Sequence, residues 1–139
     1  MDKKKKLLIY LGCALTLAPK SFTDEIINLK QILKKKYAIL EFLGVVKGTP
    51  KDVFIRDTKC VKDCDLFVAE CSYPAIGLGY EIGMAIYEKK PILTLANINT
   101  HVTRMVQGIS VPRYKFVRYN NISEVPLIID NFIKEFQLI

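Results

Sequence analysis

Glu81 is the acidic residue whose sequence surroundings are most typical of a chemical role. It lies in the glycine-rich stretch Gly77-Leu78-Gly79-Tyr80-Glu81-Ile82-Gly83, where a predicted strand is followed by a helix. We expect Glu81 in the first turn of that helix, where the helix dipole favours an ionised carboxylate that is available as a nucleophile rather than as a proton donor. The alternative is that Glu81 only complements the dipole, as many first-turn acids do.

Asp57 is a second acid, and its position is unexpected. It is the exception in a helical stripe whose other members are small or apolar: Val53, Asp57, Cys60, Val61 and Cys64. A carboxylate on the face that should meet a sheet needs a partner or a chemical role, because isolated buried charge is costly. Spacing alone leaves open whether Asp57 faces a site or lies at the helix edge, solvated or paired with Arg56 or Lys59.

The glycines around Glu81 predict a site for an anion. Glycine lets a ligand approach the backbone closely, and the amides of a helix N-terminus suit phosphate. The glycine spacing differs by one residue from the dinucleotide-binding fingerprint, and the stretch follows the third predicted strand rather than the first. No Gly-Lys-Ser or Gly-Lys-Thr occurs in the chain, which excludes the phosphate-binding loop of P-loop proteins.

The elements that must position these acids alternate between strand and helix. Strands are predicted at residues 7–11, 37–42, 65–70, 91–96 and 115–118. Helices are predicted after caps at Ser21, Thr49 and Ser123, from the glycine stretch to Glu88, and in a short segment at 102–107. This order favours a small doubly wound α/β sheet of about five parallel strands with helices on both faces, which binds ligands beyond the carboxyl ends of its strands.

The apolar run from Leu7 to Ala18, which follows Lys3 to Lys6, has two interpretations. Lysines before an apolar run are typical of a signal peptide, and Leu11-Gly12-Cys13 hints at a lipoprotein cleavage site. The run has only 12 residues, whereas a membrane span needs about 20, and its first residues fit a buried parallel strand equally well. We favour the strand and expect no membrane association.

The cysteines favour a reducing compartment. Cys60, Cys64 and Cys71 fall within twelve residues, an arrangement more typical of reduced core thiols than of a disulfide framework. Cys60 and Cys64 lie one helical turn apart, but no histidine is near them, so we expect no metal site. The predicted location is the cytoplasm.

Composition excludes several classes of function. The 139 residues suit one domain, 1–139, and the net charge of +7 is largely explained by Lys3 to Lys6 and Lys34 to Lys36. Basic and aromatic residues are not interleaved in a recognisable motif, so we expect no nucleic-acid binding. The single His101 and the lack of Trp exclude a multi-histidine metal site and a tryptophan-based recognition platform.

In order along the chain, these residues resemble the nucleoside 2-deoxyribosyltransferase superfamily, and within it more closely the 2'-deoxynucleoside 5'-phosphate N-hydrolases. The similarity is carried by Asp65-Leu66-Phe67-Val68-Ala69-Glu70 and by the stretch from Pro74 to Ala85. It extends to Ile9-Tyr10-Leu11-Gly12, to Asp57 eight residues before Asp65, and to Thr103-Arg104-Met105-Val106-Gln107-Gly108.

The resemblance implies a flavodoxin-like (Rossmann-like) domain, a homodimer or larger, that cleaves the N-glycosidic bond of a nucleoside or nucleoside 5'-monophosphate. On that pattern Glu81 is the nucleophile that attacks the anomeric carbon. Asp57 orients it or helps to protonate the departing base, and Tyr10 lies beside them. The resemblance also implies substrate contacts from Gly12, Phe42, Gly77, Gly79 and Arg104, and from Thr103 of the neighbouring subunit.

Two carboxylates would suffice for this chemistry. Departure of a base builds oxocarbenium character at the anomeric carbon, which one carboxylate stabilises or traps while a second acid assists the base. We therefore expect no metal or redox cofactor. Hydrolysis is favoured over base exchange by a transferase, because Ala69-Glu70 and Gly77-Leu78-Gly79-Tyr80 are more similar to the hydrolase pattern. A non-catalytic nucleotide-sensing domain is the remaining alternative.

Two departures from the hydrolase pattern concern the phosphate. Leu15-Thr16-Leu17 stands where those hydrolases place an arginine, and Ala75 stands where they place a serine. Both changes weaken a phosphate clamp. Arg104 is a candidate to compensate, and the alternative is that it is only a surface residue. An unphosphorylated nucleoside and a modified nucleotide stay open as substrates.

Overall fold

Five parallel strands form one sheet in the computed structural model, which describes residues 5–40 and 48–139. The strands are β1 (Leu8–Cys13), β2 (Ala38–Leu40), β3 (Leu66–Glu70), β4 (Ile92–Asn97) and β5 (Tyr114–Tyr119). Their order, β2-β1-β3-β4-β5, is that of flavodoxin-like folds. The predicted fold class is therefore confirmed.

Helices follow the strands and cover both faces of the sheet. They are α1 (Lys20–Leu33), α2 (Pro50–Asp63), α3 (Ile76–Tyr87), α4 (Arg104–Gln107) and α5 (Val125–Glu135), the last preceded by a 3₁₀ turn at Ile122–Glu124. The helices α1 and α5 pack on one face, and α2 and α3 pack on the other. Within the described ranges, no helix combines the length and the apolar character that a membrane span requires.

The alternation of side chains along β1 connects the fold to the site. Ile9 and Leu11 point into the core under α1 and α5, whereas Tyr10 belongs to the core under α2 and α3. The same alternation in β3 sends Phe67 and Ala69 towards α2 and α3, because successive side chains of a strand face opposite sides. Tyr10 is therefore placed on the face that also carries Asp57 and Glu81.

The structure confirms one of the three predicted helix caps and contradicts the other two. The cap at Thr49 is confirmed: its hydroxyl accepts from the Asp52 amide at 3.2 Å, and the Asp52 carboxylate accepts from the Thr49 amide at 2.9 Å. The cap at Ser21 is wrong, because α1 already begins after Pro19, whose fixed φ supplies the extended backbone before the first turn. The cap at Ser123 is also wrong, since the Ser123 amide donates to the Asn121 side chain at 2.9 Å.

Candidate active site

A cavity of about 1030 Å³ opens beyond the carboxyl end of β1, between α2 and the start of α3. This is the place where the strand order reverses between β1 and β3, and doubly wound sheets bind ligands in that crevice. Most of the lining is apolar, and the charged residues among those described are Arg56, Asp57 and Glu81. The structure therefore brings both predicted acids into one cavity.

Glu81 lies in the second turn of α3, not in the first, because the helix begins at Ile76. It shares the inward face of the helix with Leu78 and Ala85, which are both buried. Burial raises the pKa of Glu81 to about 7, and the charge of Asp57 adds to the increase. The predicted placement of Glu81 in the first turn is therefore wrong, and at this depth burial opposes the ionisation that the helix dipole favours.

Tyr10 holds one side of the Glu81 carboxylate. Its hydroxyl donates a hydrogen bond to Glu81, and this bond lowers the pKa of the acid, in opposition to burial. The Tyr10 side chain is 1% exposed, and its ring stacks on Phe67 with centroids 5.5 Å apart. Atom Oε2 of Glu81 is buried and has no hydrogen-bond partner within the described part of the chain. One carboxylate oxygen is thus held in place, while the other is available for a reacting atom.

Asp57 faces the same cavity from α2. It lies one turn before Val61, which is fully buried on the inward face of this helix. Burial raises the pKa of Asp57, and the nearby Arg56 charge partly opposes that shift. Lys59 pairs with Asp63 instead. Of the two alternatives that spacing left open, the structure favours the one in which Asp57 faces a site.

The three groups can perform complementary chemistry. An ionised Glu81 is a nucleophile whose orientation Tyr10 fixes, and a protonated Asp57 is an acid for a leaving group. Burial in the cavity raises the pKa of both acids. The Tyr10 hydroxyl opposes this shift for Glu81, and the charge of Arg56 opposes it for Asp57. Two carboxyl groups in unlike surroundings are the arrangement that glycoside-cleaving enzymes use.

Two of the predicted substrate-binding glycines line this cavity, namely Gly12 and Gly77. A Cβ atom on Gly12 would lie 3.1 Å from the side chains of Leu78 and Phe67, so the close approach of α3 to β1 requires glycine there. At Gly77 a Cβ atom would meet nothing within 4 Å. Gly77 belongs to the first turn of α3 rather than to a turn before it.

Gly79, Thr103 and Arg104 do not line the cavity of Glu81. They line a neighbouring cavity of about 870 Å³ between α3 and the segment that contains α4. Within one chain, Arg104 therefore lies on the wall of a different cavity from Glu81. Phe42, the remaining predicted contact, lies outside the described residues.

Arg56 also lines the cavity. From the sequence, only a pairing of Arg56 with Asp57 was predicted as an alternative. Arg56 is the one basic side chain on the cavity wall among the residues described. Val53, Arg56 and Asp57 are spaced by three and one residues, which places all three near one face of a helix. This spacing was the signal for Arg56, but it is not specific, because long basic side chains are common on helix surfaces.

Curated proteins are similar to this chain over most of its length, although no protein-family model matches it. A protein of Thermofilum pendens named "Putative 2'-deoxynucleoside 5'-phosphate N-hydrolase 1" is 32% identical over 105 residues, which cover 73% of this chain and 73% of that protein. A 5-hydroxymethyl-dUMP N-hydrolase of Branchiostoma floridae is 32% identical over 102 residues, covering 68% of this chain and 97% of that protein.

A solved structure shares the fold. The CMP N-glycosidase of Clostridium botulinum superposes with a TM-score of 0.69 at 23% identity, and the match covers 88% of this chain and 98% of that one. At this identity the likeness concerns the arrangement of strands and helices.

Proposed function

Because the chain belongs to the family of 2'-deoxynucleoside 5'-phosphate N-hydrolases, which are enzymes, we propose that it hydrolyses the N-glycosidic bond of a 2'-deoxynucleoside 5'-monophosphate and releases the free base. The observation that carries this proposal is the buried Glu81 carboxylate, which interacts with the Tyr10 hydroxyl and whose Oε2 atom has no hydrogen-bond partner in the described part of the chain. Asp57 in the same cavity supplies the second acid.

In the first step, an oxygen of ionised Glu81 bonds to the anomeric carbon while the carbon–nitrogen bond breaks. The electron pair of that bond leaves with the base, and Asp57 donates a proton to the base. Burial raises the pKa of Asp57, which is the direction that proton donation requires. Tyr10 fixes the attacking carboxylate and excludes water from one side of it, because its ring is buried against Phe67.

In the second step, water attacks the anomeric carbon of the glycosyl ester. Asp57 accepts a proton from that water, the carbon–oxygen bond to Glu81 breaks, and Glu81 regains its carboxylate. The products are the free base and a deoxyribose 5-phosphate. These residues need no metal or redox group for either step.

The start of α3 is the part of the cavity that suits the 5'-phosphate. Ala75 precedes the helix without a side-chain cap, so the first amides of α3 have no side-chain acceptor there. Such amides, together with the helix dipole, favour an anion. Arg56 adds a positive charge to the same cavity. These groups take the place of the arginine and the serine that the resemblance leads one to expect.

A homodimer with Thr103 reaching into the neighbouring subunit's site is part of the proposal. Thr103 and Arg104 line a cavity next to, but separate from, that of Glu81 in one chain. Large apolar side chains are exposed around this region, with Ile76 at 95% and Met105 at 84%. A second copy would cover them and bring its own Thr103 towards the first site.

We also place the protein in the cytoplasm. All four cysteines are free thiols in the structure. Burial raises the pKa of Cys13 to about 11 and that of Cys64 to about 12, so both remain protonated and weakly reactive at neutral pH. Such thiols suit a reducing compartment.

Product analysis tests the reaction. The protein is incubated with deoxynucleoside 5'-monophosphates, with and without a second free base, and the products are separated by chromatography. We expect free base and deoxyribose 5-phosphate in both cases, and no product from Glu81→Gln. Transfer of the sugar to the added base would instead assign a base-exchanging transferase. A lack of base release from every substrate would overturn the proposal.

Subunit mixing tests the dimer. Thr103→Trp and Glu81→Gln proteins are each expected to be inactive, and a mixture should recover activity. In a mixed dimer, one site combines an intact Glu81 with the intact Thr103 of the other chain. If the mixture stays inactive although mixed dimers form, Thr103 does not act across the interface.

A further inference from the structure

A second cavity, of about 400 Å³, lies on the opposite face of the sheet from Glu81. It is enclosed by the start of α1, the residues after β3, and the ends of β4 and β5. Its volume falls in the range of small-molecule sites, about 300–1000 Å³. It shares no lining residue with the Glu81 cavity, so the proposed reaction does not use it.

A buried carboxylate without a counter-charge lies behind its wall. Glu70 is 1% exposed and accepts hydrogen bonds from the Ser72 amide at 2.5 Å, from the Ser72 hydroxyl at 3.0 Å and from the Tyr119 hydroxyl. Ser72 and Tyr119 both line the cavity. Burial raises the pKa of Glu70, and these three donors oppose that shift. No basic side chain pairs with Glu70 in the described part of the chain.

The cavity has an excess of negative charge in a basic protein. Its single charged lining residue in the described ranges is Glu25, from α1. Burial is the main cause of the raised pKa of Glu70, and the charge of Glu25 adds to it. No lysine, arginine or histidine lines the cavity among the residues described, whereas the whole chain carries +7. A cation here would pair with the Glu25 carboxylate and would favour the ionised form of Glu70 behind it.

Aromatic rings form part of the same wall. Phe22 and Tyr73 pack edge to face with centroids 4.8 Å apart, and Tyr119 adds a third ring. Ring faces attract organic ammonium groups. Ser21 and Asn120 offer hydroxyl and amide groups for further hydrogen bonds.

We propose that this cavity binds a small organic ammonium cation, with the ammonium group near Glu25 and the hydroxyl groups of Ser72 and Tyr119. The ligand supplies the positive charge that the protein lacks there, and its carbon atoms contact the rings of Phe22 and Tyr73. An inorganic ion would fill only a small part of 400 Å³ and would make no use of the rings.

Titration with ethanolamine, followed by amide NMR spectra of the full chain, tests the proposal. We expect saturable shifts confined to residues 21–25, 72–73, 97–100 and 119–122. Ethylene glycol, which replaces the ammonium group with a hydroxyl, and potassium chloride at equal ionic strength should not reproduce them. The absence of shifts at tens of millimolar ethanolamine, or equal shifts with potassium chloride, would overturn the proposal.

A matched pair of variants locates the charge. Glu25→Gln should weaken ethanolamine binding at least about tenfold, as expected for the loss of a hydrogen bond to a charged group. Asp24→Asn removes the same charge from the neighbouring residue, which does not line the cavity, and should change the affinity less than twofold. Equal losses in the two variants would show that only general surface charge is involved and would contradict the site.

Discussion

Replacing Tyr10 with phenylalanine should shift the pH dependence of catalysis rather than merely reduce the rate. The Tyr10 hydroxyl lowers the pKa of Glu81, whereas burial and the charge of Asp57 raise it, and the balance is about 7. Tyr10→Phe keeps the ring that stacks on Phe67 and removes only the hydroxyl. The pKa of Glu81 should therefore rise.

The size of the shift follows from the hydrogen bond that is lost. A hydrogen bond to a charged group contributes about 1.5–3 kcal/mol, and one pKa unit corresponds to about 1.4 kcal/mol, so the pKa of Glu81 should rise by about 1–2 units. The ionised fraction at pH 7 then falls from about one half to about 1–10%. Because only ionised Glu81 attacks, kcat/KM at pH 7 should fall about five- to fiftyfold.

The assay is the release of base from one deoxynucleoside 5'-monophosphate, measured as kcat/KM between pH 5 and 10. The acid limb of the Tyr10→Phe profile should move to higher pH, and the activity should largely recover above the new pKa. Tyr37→Phe is the control, because Tyr37 donates to Asp130 away from the cavity. Its profile should coincide with that of the unmodified protein. Titration of the substrate phosphate is common to all three proteins.

Two results would refute this reasoning. If Tyr10→Phe lowers kcat/KM by the same factor at every pH, Tyr10 does not set the ionisation of Glu81. If the acid limb moves to lower pH, the hydrogen bond stabilises the protonated acid, and Glu81 is not held as a nucleophile.

Three further predictions concern stability and the two acids. The pKa of Glu81 in the folded protein, about 7, lies above its ordinary value of 4.5, so the protein loses stability as the pH rises through this range. Glu81→Gln should therefore raise the Tm at pH 8 but hardly at pH 4. A lower Tm at pH 8 would contradict this linkage. Gly12→Ala places a Cβ atom 3.1 Å from two core side chains and should lower the free energy of unfolding, measured in urea, by about 1–3 kcal/mol. Gly83→Ala, whose Cβ atom would meet nothing within 4 Å, should be neutral or stabilising by up to about 1 kcal/mol. Equal effects of the two variants would contradict this packing argument. Asp57→Asn removes a charge that raises the pKa of Glu81, so the acid limb of the kcat/KM profile should move to lower pH. The rate of base departure should fall as well. An unchanged acid limb would show that the two acids do not interact.

The sheet and the pairing of the two acids could be predicted because their signals are local. Alternating strand and helix patterns, with a buried run at 65–70, are sufficient to place β3 in the middle of the sheet. Asp57 could be recognised because one acid interrupts an otherwise apolar helical stripe. Tyr10 was found through the family resemblance, and the alternation along β1 explains why it meets the acids.

The ionisation of Glu81 could not be predicted, because it depends on desolvation by distant parts of the chain. The glycine-rich stretch predicted a helix start later in the chain than the observed one, since α3 begins at Ile76. That difference places Glu81 one turn deeper, where burial raises its pKa. Sequence patterns also could not show that Thr103 and Arg104 line a cavity apart from Glu81, since the neighbouring cavity forms only when α3 and α4 are packed.

The most direct test of the central claim is a search for a covalent bond between the substrate sugar and Glu81. The unmodified protein is mixed with a deoxynucleoside 5'-monophosphate, quenched in acid within milliseconds to seconds, digested and analysed by mass spectrometry. We predict a deoxyribose 5-phosphate adduct on the peptide that contains Glu81, formed together with a burst of free base and lost when the reaction is left to complete. Base release without any adduct, or an adduct on a different residue, would contradict the role of Glu81 as nucleophile.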